Sequence, residues 1–327
     1  MRLPNLVAAG FAAGTLCVCL SAGQSAPDQS AWLKDLTAWR AQHTSEIGAP
    51  DGWLSLVALD WLKPGDNSVG AAITNQLRLP GSPPKLCVFQ VRFEQAVAKP
   101  DDARPPQSAT VPRIIIQPPA GGFPAGFLVD GKTPKAGDEI FTDDSKHPSK
   151  LTISTLLMTI IHRGENTALR VKDANAPWRV SFHELSWFEP NAAYRLRGKW
   201  VPYNPQHTIA MPTVIGTTVK MPSPGAVEFS LNGKQYRLEP VVEDPSLKQL
   251  FFVMRDLSSS GESYPAGRFL YTSYPDHGLD QPGEVWLDFN RLENPPCAYT
   301  KFATCPLPTP QNRLQVAIPA GEKRYGD

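Results

Sequence analysis

Between Asp256 and Asn312 the chain collects side chains suited to acid–base and hydrogen-bond chemistry: Glu262, Tyr264, Arg268, Asp288, Asn290, Asn294 and Asn312, interleaved with Trp286 and Phe289. Two carboxylates near an arginine suit proton transfer, with Glu262 or Asp288 as the acid–base partner and Arg268 orienting a polar ligand. Tyr264, Asn290, Asn294 and Asn312 would bind that ligand as neutral donors and acceptors. The large apolar neighbours predict a partly buried setting, where charges persist only when paired. This pattern predicts a pocket that binds or hydrolyses a small polar molecule. Glu322 is a further candidate acid or base, although a terminal Gly-Glu-Lys-Arg turn reads first as surface. The alternative is a non-catalytic module that recognises an envelope protein or a glycan, so a protein partner is a second expectation.

Cys297 and Cys305 stand in a loop braced by Pro295, Pro296, Pro306 and Pro308. In an oxidising compartment they predict a disulfide worth roughly 2–3 kcal/mol through loop closure; a reactive thiol pair or a metal pair is the other chemistry open to them. The chain lacks a Gly-x-Ser-x-Gly elbow, a His-Glu-x-x-His helix, a Walker-type phosphate loop and a Cys-x-x-Cys pair. Its 6 histidines are dispersed without ligand spacing, so neither a metal nor a cofactor is expected. Lysines and arginines number 32 against 31 acidic residues, a net charge of +1, which removes the electrostatic reason to expect nucleic acid or an anionic membrane surface as a partner.

The elements that must position these residues are mainly β. With 34 prolines among 327 residues, long helices are disfavoured and short strands joined by stiff turns are favoured. Residues 1–26 carry Arg2, an apolar run from Leu6 to Ala22 and small residues at the end, the form of a secretory signal peptide. The expected location is therefore secreted or periplasmic, with no membrane span once the signal is removed. Trp32, Leu36 and Trp39 share one face of a helix that starts near Asp28. The apolar run Trp53–Leu62 is a buried strand pair or a short core helix. Short strands then follow to about Asp173, among them Cys87, Phe89, Val91 and Phe93 in strict alternation, so residues 27–173 are expected as the helix plus a β-sandwich-like unit. Residues 174–327 are expected as an antiparallel barrel-like unit. Its clearest hairpin turns at Asn232-Gly233, a dipeptide that tolerates positive φ at both positions. In the tail, one strand delivers polar side chains to the cysteine loop and a second strand carries the chain away.

Gly65-Asp-Asn-Ser-Val-Gly70, Gln76-Leu-Arg-Leu79, Val129-Asp-Gly131 and Gly137-Asp-Glu-Ile140 resemble the strand and turn order of a forkhead-associated β-sandwich. That family places an arginine after the glycine found here at Gly70, where this chain has Ala71, and the family's Ser/His pair is missing. The resemblance therefore implies a structural role without phosphothreonine binding. Trp53-Leu-Ser-Leu56, Gly261–Arg268, Leu287–Arg291, Asn294-Pro-Pro-Cys297, Ala303–Pro308, Asn312-Arg-Leu314 and Ala320–Lys323 together resemble domain-of-unknown-function family 1684. This second resemblance implies one evolutionary unit from about residue 30 to the end. The family has no assigned activity, so it contributes no catalytic residues.

Overall fold

The computed structural model describes residues 29–97 and 109–326; the expected signal peptide, residues 1–26, lies outside the described residues. The chain is mainly β behind one long helix, α1 (Gln29–Ile47). Trp32, Leu36, His43 and Ile47 are buried on one face of α1, while Trp39 is half-buried. That face docks largely on the C-terminal half of the chain: Trp32 Nε1 donates to Asp288 Oδ2 at 2.7 Å, Arg40 donates to the carbonyl of Phe188 at 3.1 Å, and Asp35 pairs with Arg291. No helix among the described residues is long and apolar enough to cross a membrane.

The ambiguous run after α1 resolves into a 3-10 turn, Trp53–Ser55, and the strand β1 (Leu56–Trp61). Next come β2 (Gly65–Gly70), β3 (Leu77–Arg78), β4 (Cys87–Gln95), β5 (Thr110–Gln117), β6 (Leu128–Val129), β7 (Glu139–Ile140), β8 (Leu151–Ile153), β9 (Leu156–Arg163) and β10 (Asn166–Asp173). They form two five-stranded sheets, ordered β1-β10-β9-β8-β6 and β3-β2-β4-β5-β7. Alternation sorts their side chains as expected. Cys87, Phe89 and Val91 of β4 face inward, where they join Ile114, Ile116, Met158, Ile160, Leu169 and Val171 in one core. Each such side chain stabilises the fold by about 1.5–3 kcal/mol through burial. On β10 the same alternation sends Arg170 and Lys172 to the opposite face, where both cations approach the Trp53 ring.

The second unit contains β11 (Arg195–Pro212), β12 (Thr218–Leu231), β13 (Lys234–Leu238), β14 (Gln249–Met254), β15 (Arg268–Ser273) and β16 (Gly283–Asp288). The hairpin between β12 and β13 turns at Asn232 (φ 54°) and Gly233 (φ 73°), as the dipeptide predicts. The expected barrel does not form. A four-stranded sheet, β13-β12-β11-β16, and a separate two-stranded ribbon, β14-β15, pack together without closing. Trp200, Val227, Phe229, Phe252, Leu270, Leu287 and Phe289 fill the space between them.

The tail also departs from expectation, since no strand follows β16 among the described residues. Prolines remove the backbone donors that a strand would need, so the segment runs as 3-10 turns and isolated bridges. It is held instead by single buried side chains such as Leu314, Ile318 and Ala320, and by polar clamps.

Candidate functional site

The structure uses most of the polar residues singled out from the sequence as clamps for this irregular backbone. Arg268 opens β15 and is 1% exposed. Its Nη2 donates to Asp256 Oδ2 at 2.7 Å and to the carbonyl of Ile318 at 2.8 Å, and its Nη1 donates to the carbonyl of Ala320 at 2.5 Å. The arginine is thereby spent on fixing the tail. Asn312 donates to the carbonyls of Glu239 (2.9 Å) and Val253 (3.1 Å) and accepts from Glu239 N. Asn290 and Asn191 exchange two hydrogen bonds, side chain to backbone, at 2.8 and 2.9 Å. Tyr264 donates to the carbonyl of Cys297 at 3.0 Å. The Glu262 side chain is 65% exposed beside Lys323. The expected convergence of these groups on one hollow is therefore absent. Asp288 alone among them lines one of the clefts described below, and its Oδ2 is already taken by Trp32.

The cysteine pair also differs from the preferred expectation. Cys297 and Cys305 are free thiols, with Cys297 N–H 3.2 Å from Cys305 Sγ. The hydrogen bond between the two sulfurs draws the Cys297 thiol down and, together with burial, pushes Cys305 up. Of the two thiols, Cys297 gives up its proton the more readily.

A different set of residues lines open space. Three adjoining cavities of about 220, 520 and 450 Å³ lie among α1, the outer face of β10 and the second unit. They share their walls: Tyr271 borders the first and second, Trp39 and Glu293 the second and third, and Trp53 the first and third. The result is one branched cleft with aromatic partitions, assembled from parts of the chain about 250 positions apart.

Glu293 is a carboxyl that borders two of these cavities. Its backbone pairs with Phe269 in both directions, at 2.9 and 3.0 Å, which fixes the side chain's origin on the β15 edge. Its side chain is 19% exposed. Burial raises the carboxyl to about 7; nearby His43 opposes the rise, while Glu322 and Glu46 add to it. His43 Nδ1 is 3.5 Å from Glu293 Oε2, and its Nε2 is 3.4 Å from Glu322 Oε2. Burial pulls the imidazole pKa down, but the Glu322 and Glu293 carboxylates outweigh it, so the net shift is upward. Trp39 stacks on the ring at 5.5 Å and Trp187 meets it edge-on at 5.9 Å, holding its plane.

Glu322 proves to be fully buried rather than a surface turn. Gly321 makes this approach feasible: at φ 81°, a Cβ there would meet the Leu292 carbonyl oxygen at 2.5 Å. The chain thus presses against Leu292, and Glu322 N donates to that carbonyl at 2.7 Å. Its carboxylate accepts from Tyr299 OH (2.6 Å), Asn294 Nδ2 (2.8 Å) and Asn294 N (2.9 Å). Asn294, expected to touch a ligand, instead orients the carboxylate behind His43. Glu322, His43 and Glu293 thus lie in series toward the cleft, in ion-pair contact, with His43 Nε2 without a hydrogen-bond partner among the described residues. Among the described residues, no group of three or more histidine, cysteine or acidic side chains is arranged to hold a metal ion.

On the other side of Trp53 the cleft is lined by His162, Arg163 and Arg170 and by the carboxylates of Asp144 and Glu243. His162 Nδ1 lies 2.8 Å from Asp144 Oδ2, and Arg163 Nη2 donates to Asp143 at 2.6 Å. Arg170 has its guanidinium 5.7 Å from the Trp53 ring centroid. None of His43, Glu293 and Arg170 was singled out from the sequence. The available signals were weak: a histidine one turn after Trp39, a glutamate just before Asn294-Pro-Pro, and an arginine between Leu169 and Val171.

No curated protein matches the chain. Among solved structures, one that matches is the solution structure of an uncharacterized protein from Haloarcula marismortui, 29% identical, covering 44% of this chain and 78% of that one, with a TM-score of 0.38. Residues 180–323 match the family described as a protein of unknown function, DUF1684. The match takes in Glu293, Tyr299 and Glu322 but not α1 or the sandwich, a narrower span than the sequence resemblance implied. The similarity to domain-of-unknown-function family 1684 thus falls on the second unit of this chain, residues 180–323.

Proposed function

We propose that this is an exported protein that binds a small polar molecule in the cleft among α1, the sandwich and the second unit, and hydrolyses it there. The observation that carries the reading is Glu293, a cleft-facing carboxyl raised to about 7 and backed by His43 and Glu322. A carboxylate with that proton affinity takes a proton from water near neutral pH as the oxygen adds to an electrophilic carbon, then returns it to the leaving group. Glu293 replaces Glu262 and Asp288 as the acid–base group, because the first is solvated and the second accepts from Trp32. Export rests on the form of residues 1–26.

The test is hydrolysis of a panel of short acyl esters and amides, 4-nitrophenyl acetate first, by the purified mature protein and by Glu293→Gln. The expected loss in kcat/KM is about 10²–10⁴-fold with the fold retained, and the wild-type profile should rise with pH to a plateau above about 7. Equal rates for the two proteins across the panel would refute the reading.

A further inference from the structure

We propose that the ligand of this cleft is a small amphiphilic carboxylate, its head held by the Arg170 guanidinium and its apolar body lying on the second unit. The inference rests on the cleft being the ligand site and adds the class of molecule that it takes. The cavity of about 220 Å³ has two unlike walls. One is the β9–β10 end of the sandwich, with His162, Arg163 and Arg170; the other is the open edge of an apolar cluster, with Val219, Met221, Phe251 and Phe269.

The decisive feature is hydrogen-bond satisfaction. Arg170 Nε is buried without a partner among the described residues, and no ion pair engages the guanidinium there. A buried guanidinium Nε–H without an acceptor is costly, and a planar fork of this kind suits a carboxylate. The strain registers in its proton affinity: burial and neighbouring Arg163 lower it to about 10, against the opposing pull of Asp143. Arg163 is already neutralised by Asp143.

A second orphan points the same way. The His162 side chain is 3% exposed, and its Nε2 has no partner among the described residues while Nδ1 is occupied by Asp144. That nitrogen accepts from a ligand hydroxyl or, when protonated, donates to a ligand oxygen. Glu243 also lines the cavity, but its carboxylate accepts from Tyr271 OH at 3.3 Å and is not among the charges that bear on Arg170. One uncompensated cation beside apolar surface fits a monoanion with an aliphatic part better than a phosphate dianion.

The experiment is calorimetric titration of the mature protein with hexanoate, 1-hexanol, acetate and hexyl phosphate. Hexanoate should bind at least tenfold more tightly than either hexanol, which lacks the charge, or acetate, which lacks the body. Arg170→Gln should bring hexanoate down to the level of hexanol and leave hexanol unchanged. Should that variant fail to fold, Arg170→Lys replaces it, with an intermediate affinity expected because the charge stays and the fork is lost. Hexanol equal to hexanoate, or hexanoate binding that survives Arg170→Gln in folded protein, overturns the proposal. Hexyl phosphate binding tenfold more tightly than hexanoate overturns the carboxylate assignment in favour of a phosphate head. Glu293→Gln separates the two readings, since it should keep hexanoate binding while losing hydrolysis. Hydrolysis of neutral esters without hexanoate binding sinks this proposal alone; hexanoate binding without any hydrolysis sinks the hydrolytic reading alone.

Discussion

Replacing Glu293 by glutamine should change how stability depends on pH, by an amount that follows from its surroundings. The carboxyl sits at about 7 against an ordinary value of 4.5, and each unit corresponds to about 1.4 kcal/mol. The folded state therefore holds the Glu293 proton more tightly than the unfolded chain does, by about 3 kcal/mol. For a group raised in this way, the stabilisation is fully present below pH 4.5 and is lost as pH climbs through about 7. Glutamine has the shape of the protonated acid and does not titrate. The stability of the wild type minus that of Glu293→Gln should thus fall by about 3 kcal/mol between pH 4.5 and pH 8. His43, raised above 6.5, acts in the same sense: its contribution is complete below 6.5 and disappears as pH passes its folded value. Because Glu293 is one of the carboxylates that raise it, part of that dependence should vanish in the same variant. Urea unfolding of both proteins across this range, checked for coincident transitions by two probes, measures the difference. A difference that stays constant, or that grows with pH, would mean that Glu293 is ionised at acid pH and would remove it as a general base.

Two further outcomes test the division between clamps and cleft. Arg268→Met leaves the Asp256 carboxylate and the carbonyls of Ile318 and Ala320 buried without their donor, so denaturation should show a loss of about 3–5 kcal/mol. A loss below about 1 kcal/mol would show that the tail does not depend on this pair. Glu322→Gln points an amide N–H at the donors from Tyr299 and Asn294 and should cost about 1–3 kcal/mol, whereas Glu262→Gln breaks only a solvated pair with Lys323 and should stay within about 0.5 kcal/mol; the same unfolding assay ranks them.

The parts of the fold that were legible in the sequence are those set by local rules. Cys87, Phe89 and Val91 alternate with polar residues and form one face of the sandwich core; Asn232-Gly233 adopts the positive φ values that its hairpin requires. The tail was not legible in this way. Its prolines were read as bracing a loop between two strands, but they also forbid the second strand, and the segment survives through long-range clamps that no local pattern encodes. Barrel closure failed as a prediction for a related reason. Successive hairpins fix which strands are neighbours, whereas closure depends on whether the last edge meets the first, and here the β14-β15 ribbon remains a separate sheet.

The misplaced site has a more general cause, visible in two arginines. Arg268 and Arg170 both open toward apolar surroundings, and composition alone ranks Arg268 higher because serines, acids and carboxamides crowd its neighbourhood in sequence. Those neighbours are the reason it is unavailable. Asp256 and the tail carbonyls engage both Nη groups of Arg268, while the side chain of Arg170, between Leu169 and Val171, makes no hydrogen bond or ion pair among the described residues. A polar residue in polar company tends to be satisfied by the chain itself; one stranded on an apolar strand is satisfied only from outside. The same holds for Glu293, which packs beside Phe269 and meets His43 only because α1 folds back over the second unit from about 250 positions away. Sequence therefore reports which charges are present, and the folded structure decides which of them become buried and which still require a partner. Three with a nitrogen that still lacks one among the described residues, His43, His162 and Arg170, border these adjoining cavities.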